Sequence, residues 1–508
     1  MTEQPSDPSS LARRDFILDL AGMLALSQAG LRVPSASTGA SAESASVAPA
    51  ARFVGIQMGP HTILDEGIEH TLDLIQATAA VDVVMPYSHG YNGAFVKPLR
   101  SRADHGVPLT DNTNRKFPLV WVKTHDQYYK NTTLRHQVVD ASFEHARRDL
   151  FAELAEPARK RGMKVYARVL EAGGRTIANF AKVVTRDIDD RPTTTACWNH
   201  PEYIGFWADT MDDLFHSYDL DGIQWGAERQ GPLMNVVSPW DGRPPTCFCE
   251  FCNARGKKNG IDPARARQGF RALWELAQGK GDTRHADGVF ASYLRVIMRY
   301  PEILSWEYQY RLSREEIGAA MYARVKAIRP AAEVGWHVDH QPSSWDMVYR
   351  AEMSYEEMAP HSDFIKPIVY HSVLGPRIRD WYLPRFKQTF LGEVSLETSL
   401  ELYYDLFGYD KKSEPTLDEL SKKGFSPDYV FREVRHSVAS ANGKTKIYAG
   451  VGFDVPGSPR DEPEAVYQAT RKSFEAGASG VVASREYEEM KVENLKAFGR
   501  AVRDAARS

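Results

Sequence analysis

Two clusters of residues in this chain are of types and spacings that do chemistry. The first is a carboxylate. Asp221-Gly222-Ile223-Gln224-Trp225-Gly226-Ala227-Glu228 is a short apolar run that ends on Glu228. An apolar neighbour such as Trp225 raises a carboxyl pKa, and a raised pKa is what a general acid needs. The second cluster is Cys247-Phe248-Cys249-Glu250-Phe251-Cys252. This CxCxxC spacing offers three thiolates from one tight turn. Cys197 is the fourth and last cysteine of the chain. Four thiolates bind zinc tetrahedrally and leave no open position, so the expectation is a structural Zn(2+) held by Cys197, Cys247, Cys249 and Cys252. One disulfide with two free thiols is the alternative.

A lone carboxyl does little. Glycosidic bonds are cut by a pair, one protonating the leaving oxygen and one attacking or activating water. Glu228 is the first choice for the acid/base, and Asp454 or Asp339 for its partner. The two carboxyls should lie roughly 5–5.5 Å apart for retention and about 6.5–9.5 Å apart for inversion. Tyr87, His89, Arg168, Trp225, His337, Tyr370, His371 and Glu486 are the candidate substrate contacts. Each also has a plainer reading: acids that bind loop backbone or Arg side chains, and histidines that pack loops. Two other functions stay open. One is a metal-dependent lyase, isomerase or hydrolase using His89, His337, His340 or His371 with Glu228. The other is a non-catalytic saccharide-binding barrel.

The candidate catalytic and substrate-contact residues fall within the last residues of an apolar run or just beyond it, and the runs suggest why. Strands are expected at 52–58, 82–86, 164–170, 221–225, 333–338, 363–370, 446–452 and 479–483, each followed by helical periodicity. After Tyr87-Ser88-His89-Gly90-Tyr91-Asn92 a long polar, aromatic loop is expected to about Asp140. Helices are expected over 141–161, from Pro201, and over 264–276, 288–299, 302–328 and 464–475. The strands are continuous apolar runs rather than alternating ones, as in parallel strands buried on both faces. The simplest closure is an α/β (β/α)8 TIM barrel with long insertions in its βα loops, about 227–332 and 376–441. Active sites of such barrels lie at the carboxyl ends of the strands, where the candidates fall. An open doubly wound sheet is the alternative. No GxGxxG follows the first strand, and no phosphate loop occurs, so nucleotide binding has little support.

The order Cys197, Glu228, Cys247, Cys249, Cys252 resembles the family 42 β-galactosidases among glycoside hydrolases. The resemblance implies that Glu228 is the acid/base and that the four cysteines are zinc ligands. It covers about 55 residues specifically and the barrel pattern more loosely. The chain departs from the family at two points. Ala227 stands where the family has Asn before the glutamate, and Gly452-Phe453-Asp454-Val455-Pro456 offers an aspartate where the family has a nucleophilic glutamate. The resemblance therefore implies a class of chemistry and not galactosidase activity.

The remaining signals concern location and partners. Arg13-Arg14-Asp15-Phe16-Ile17-Leu18, a mildly apolar run and an Ala/Ser-rich stretch to about Ala50 resemble a twin-arginine (Tat) signal peptide. Residues 1–50 are thus expected to be signal and linker, 51–508 the catalytic barrel, and the protein periplasmic or secreted. The apolar run is too short to span a bilayer in the mature protein. With 63 basic and 67 acidic residues the chain offers no excess of charge to nucleic acid. A carbohydrate substrate is the expected partner; the sequence leaves the sugar and the oligomeric state open.

Overall fold

The computed structural model describes residues 52–90, 103–108, 119–138, 141–171, 174, 176–239, 242–279, 288–339, 346–459 and 461–507. The expected signal and linker, and His340, lie outside these residues.

Eight parallel strands close into a barrel. They are β1 (Phe53–Met58), β2 (Val83–His89), β3 (Lys164–Leu170), β4 (Gly222–Gly226), β5 (Glu333–Val338), β6 (Phe364–Pro367), β7 (Lys446–Gly452) and β8 (Gly480–Ser484). Each strand pairs with its neighbours in sequence, and β8 returns to β1. This is the (β/α)8 architecture, with helices between the strands. The outer helices used below are α1 (Ile68–Ala79), α2 (Leu150–Lys160), α3 (Pro201–Ser217), α4 (Glu302–Ile328), α5 (His371–Arg377) and α6 (Val492–Arg507). The expected strand over 363–370 is shorter: regular pairing ends at Pro367, a single bridge joins Ile368 to Gly450, and α5 begins at His371. The expected helix over 141–161 forms only from Leu150, where the Asp149 side chain caps it by accepting from Ala152 N. Among the described residues no helix is long and apolar enough to cross a membrane.

Side chains alternate between the two faces of each strand, so the barrel has an inside and an outside. Outward residues such as Ile223, Trp225, Val334, Trp336 and Ile365 join the large core under the helices. Inward residues form two layers. Near the amino ends of the strands, Phe53, Val83, Met85, Tyr166, Phe364, Tyr448 and Val482 make a separate apolar plug. Phe53 and Tyr448 stack there with centroids 3.9 Å apart. Glu333 seals the plug, accepting from the Tyr166 hydroxyl at 2.8 Å and the Tyr448 hydroxyl at 3.1 Å. One turn of the pleat further along, the inward positions become polar: Gln57, Arg168, Gln224, His337, Lys366 and Ser484. Here the barrel stops being a core and becomes a site.

Candidate active site

The upper layer is a connected network. Gln57 Nε2 donates to Gln224 Oε1 across the barrel at 3.2 Å. Ser484 Oγ donates to Gln57 Oε1 at 2.7 Å and meets the Tyr370 hydroxyl at 2.6 Å. Lys366 lies among them with no exposed surface. Its Nζ reaches Ser484 Oγ at 2.5 Å, Gln57 Oε1 at 3.4 Å and His337 Nδ1 at 3.4 Å. Space for this lysine comes from Gly450 on β7, where a Cβ would stand 2.3 Å from Lys366 Cε. Burial pushes the Lys366 ammonium well below its ordinary range, and the Arg168 charge pushes the same way.

Glu228 stands above this layer, two residues past the end of β4. His337 Nε2 lies 2.9 Å from Glu228 Oε1. Burial holds the His337 ring down to about 4, with the Lys366 charge adding to it, so the imidazole is neutral at pH 7. For Glu228, burial raises the carboxyl pKa. The bond to His337 and the charges of Arg168 and Arg377 outweigh it and leave the group below the usual carboxylate range. This corrects the expectation of a raised value. Trp225, the apolar neighbour invoked for it, points the other way: it is 2% exposed and packs edge-on against Trp336 at 4.7 Å in the outer core. Period-two alternation puts Trp225 behind the strand, so it is a core residue and no substrate contact.

Arg168, from β3, links Glu228 to a second carboxylate. Its Nη1 donates to Glu486 Oε1 at 3.0 Å, and its guanidinium lies 4.0 Å from the centre of the Tyr87 ring. The negative charges of Glu228 and Glu486 both bear on the Tyr87 hydroxyl and on Lys366. Thus Glu228, Glu486, Arg168, Tyr87, His337 and Tyr370 meet in one cluster. Lys366, Ser484 and Arg377 complete it and were not among the expected residues. A lone lysine inside the apolar run Phe364-Ile365-Lys366-Pro367-Ile368 is the signal that could have found the first of them.

Other candidates lie elsewhere. Asp454 has φ 57°, which tips its side chain toward α6. There it accepts from Lys491 N at 2.9 Å and from Asn494 Nδ2 at 3.0 Å, and pairs with Lys491 Nζ at 3.3 Å. Its side chain is only 3% exposed. The aspartate therefore fastens the start of α6 to the end of β7. Asp339 is half-buried beyond β5, and its charge bears on the hydroxyls of Tyr349, Tyr355 and Tyr382. The Arg377 charge acts on Tyr382 as well as on Glu228. His89 stacks on His136 with centroids 3.7 Å apart, and burial pushes it down to about 3. His371 is buried beside Asp461, 3.7 Å away. Both histidines pack loops, so His89, His337 and His371 do not converge on one metal.

The four cysteines are buried and unbridged. Their Sγ atoms all lie within 4.8 Å of one another, with Cys197 3.4 Å from Cys249 and 3.5 Å from Cys252. Zinc–sulfur bonds of about 2.3 Å make tetrahedral edges of about 3.8 Å, so the donor set fits a four-thiolate metal. The cluster is tied to the site through Arg229. Its guanidinium lies over the Trp198 ring at 3.8 Å, donates to Ala196 O at 2.5 Å and pairs with Glu171 at 3.0 Å. The residue after Glu228 is thereby fixed to the residue before Cys197. A surface cleft of about 610 Å³ over the cysteine loop is lined by Arg186, His200, Phe248 and Arg267 and by none of the strand-end groups.

No protein-family model matches the chain, and no curated protein does. Among solved structures, the glycoside hydrolase domain of PgaB (BpsB) from Bordetella bronchiseptica is similar over 89% of this chain and 98% of that one, with TM-score 0.49 and 13% identity. A β-galactosidase from the psychrophilic Marinomonas ef1 is similar over 89% of this chain and 59% of its own, with TM-score 0.48 and 9% identity. This chain thus spans about three fifths of the length of that enzyme. The catalytic domain of a β-amylase from Paenibacillus polymyxa is similar over 90% and 99%, with TM-score 0.44 and 10% identity. All three are glycoside hydrolases. Similarity at this level concerns architecture, and no residue role passes from them to this chain.

Proposed function

We propose that the protein is a glycoside hydrolase in which Glu228 exchanges a proton with the glycosidic oxygen. The observation that carries this reading is the gathering of Glu228 and Glu486 around Arg168 at the carboxyl ends of the barrel strands. Two carboxylates from distant parts of the sequence, both under the charge of one guanidinium and both acting on the Tyr87 hydroxyl, match the needs of acetal cleavage. One carboxyl handles the leaving group. The other faces the positive charge that develops on the sugar ring or on an attacking water. Glu486 is the preferred partner because it shares Arg168, Tyr87 and Lys366 with Glu228. Asp339, at the end of the neighbouring strand β5, is the second candidate. Asp454 is assigned a structural role instead.

The four cysteines hold a structural zinc in this proposal, and the metal takes no part in the reaction. When bound, it fixes the loop that carries Ala196 and, through Arg229, the backbone next to Glu228. The twin-arginine stretch sends the folded protein across the inner membrane. A metal-loaded fold and a route that carries folded proteins are consistent with each other.

Turnover tests the reading. The purified protein is incubated with a panel of 4-nitrophenyl glycosides and with soluble polysaccharides, alongside E228Q and E486Q. Hydrolysis of at least one substrate is expected, with kcat/KM on the polysaccharides, whose leaving groups are poor, falling by about 10²–10⁴ in E228Q while the fold is retained. Polysaccharide hydrolysis that is unchanged in E228Q, or saccharide binding in both proteins with no turnover of any substrate, contradicts it.

A further inference from the structure

A general acid must carry a proton when substrate arrives, and the surroundings of Glu228 favour its ionised form. The hydrogen-bond pattern beneath it offers a source. Lys366 Nζ has three acceptors within reach, which is the number an ammonium can serve: Ser484 Oγ, Gln57 Oε1 and His337 Nδ1. His337 then carries its single ring proton on Nε2 and donates it to the Glu228 carboxylate at 2.9 Å. A second arrangement keeps every contact and every proton. The amine of Lys366 accepts from Nδ1–H, and Nε2 accepts from a protonated Glu228.

We propose that Lys366, His337 and Glu228 form a proton relay in which the buried lysine restores the proton of Glu228 through a tautomer change of His337. In this step one N–H bond at Nζ breaks and one forms at Nδ1. The Nε2–H bond breaks and an O–H bond forms at Oε1. Lys366 passes from ammonium to amine, Glu228 from carboxylate to acid, and His337 stays neutral. An opposite pair of charges in a low-dielectric layer becomes three neutral groups, so neither end state is remote from the other. The surrounding charges balance the two states. Arg168 disfavours a charged Lys366, while Glu486 favours it. Arg168 and Arg377 favour an ionised Glu228. The Tyr370 ring faces the ammonium at 5.5 Å, and the Tyr87 hydroxyl feels both carboxylates. Lys366 is a positioning and proton-holding residue here, since it never meets the substrate.

The inference rests on the acid/base role proposed for Glu228, and its test is chosen to fail separately from that role. The ring nitrogens of ¹⁵N-histidine-labelled protein are followed by NMR from pH 5 to 9, with the His337 signals identified by their loss in H337Q. In the wild type we expect a ring that stays neutral while its two nitrogens show averaged, pH-dependent protonation. In K366M we expect a ring fixed as the Nε2–H tautomer. A wild-type ring locked in one tautomer at every pH, or one that becomes an imidazolium, overturns the relay whether or not any saccharide is cleaved. Should K366M fold poorly, the wild-type spectrum alone decides. With a substrate in hand, H337Q keeps a donor to Glu228 but cannot pass a proton. The alkaline limb of its kcat/KM profile should move at least one pH unit toward acid, and an unmoved limb counts against the relay.

Discussion

At the scale of single residues, position along a strand decides what a side chain does. Glu228 and Asp454 both follow an apolar strand and are equivalent in sequence pattern. They differ because Glu228 meets the polar layer of the barrel, while the left-handed backbone at Asp454 turns its carboxylate to α6. The D454N variant should therefore lose stability and little activity. Weakening the bonds to Lys491 and Asn494 should cost about 1–3 kcal/mol in denaturant unfolding, with kcat within a few-fold of wild type. The sequence makes Arg168, His337 and Glu486 visible because they stand at strand ends. Their mutual contacts are not visible there, since Arg168 and Glu486 come from strands far apart in the chain. Trp225 stands at a strand end as well, yet it faces the outer core, because one step along a strand reverses the face.

At the scale of elements, the loop that follows Glu228 is governed by buried acids that the sequence does not single out. Glu307 on α4 accepts from Leu233 N at 2.6 Å and shares a hydrogen bond with Glu352. Asp346 and Tyr349 lie on the same cluster, and the Arg314 charge opposes the rise at Glu307 and Glu352. Burial pushes Glu307 and Asp346 each up to about 7, and pushes Glu352 well up. A carboxyl with a raised folded-state pKa holds a proton that the unfolded chain has already released. Stability then falls as pH climbs from the unfolded value toward 7. Stability should thus drop by a few kcal/mol between pH 5 and pH 8, since each tenfold difference in proton affinity between folded and unfolded chain is worth roughly 1.4 kcal/mol. In E307Q the drop should shrink, as read by urea unfolding at the two pH values. An equal drop in E307Q would remove Glu307 from the cluster's control. Glu307 and Glu352 escape sequence reading because a glutamate on a helix is ordinarily a solvated residue, and Asp346 because it reads as a plain helix cap.

At the scale of the whole molecule, the closed barrel is legible in the sequence and the depth of its polar layer is not. Continuous apolar runs at regular spacing mark all eight strands, and most boundaries agree within two residues. What periodicity cannot convey is that inward positions switch from aromatic plug to polar network along the same strands, as Phe364 and Lys366 do on β6. The cysteine cluster is legible from spacing alone, because thiol chemistry needs no tertiary context to be recognised. The role of Arg229 in tying that cluster to Glu228 is not. Stoichiometric zinc is expected in the wild type by elemental analysis. The C249S variant should lose the metal, melt at lower temperature and turn over more slowly, since the loop bearing Ala196 no longer holds Arg229. Metal retained by C249S would point to a second site. The central claim is that Glu228 gives a proton to a departing oxygen, and leaving-group dependence tests it most directly. With aryl and alkyl glycosides of graded leaving-group acidity, E228A should be crippled on poor leaving groups and close to wild type on the most acidic phenols. An equal loss across the whole series would contradict the assignment.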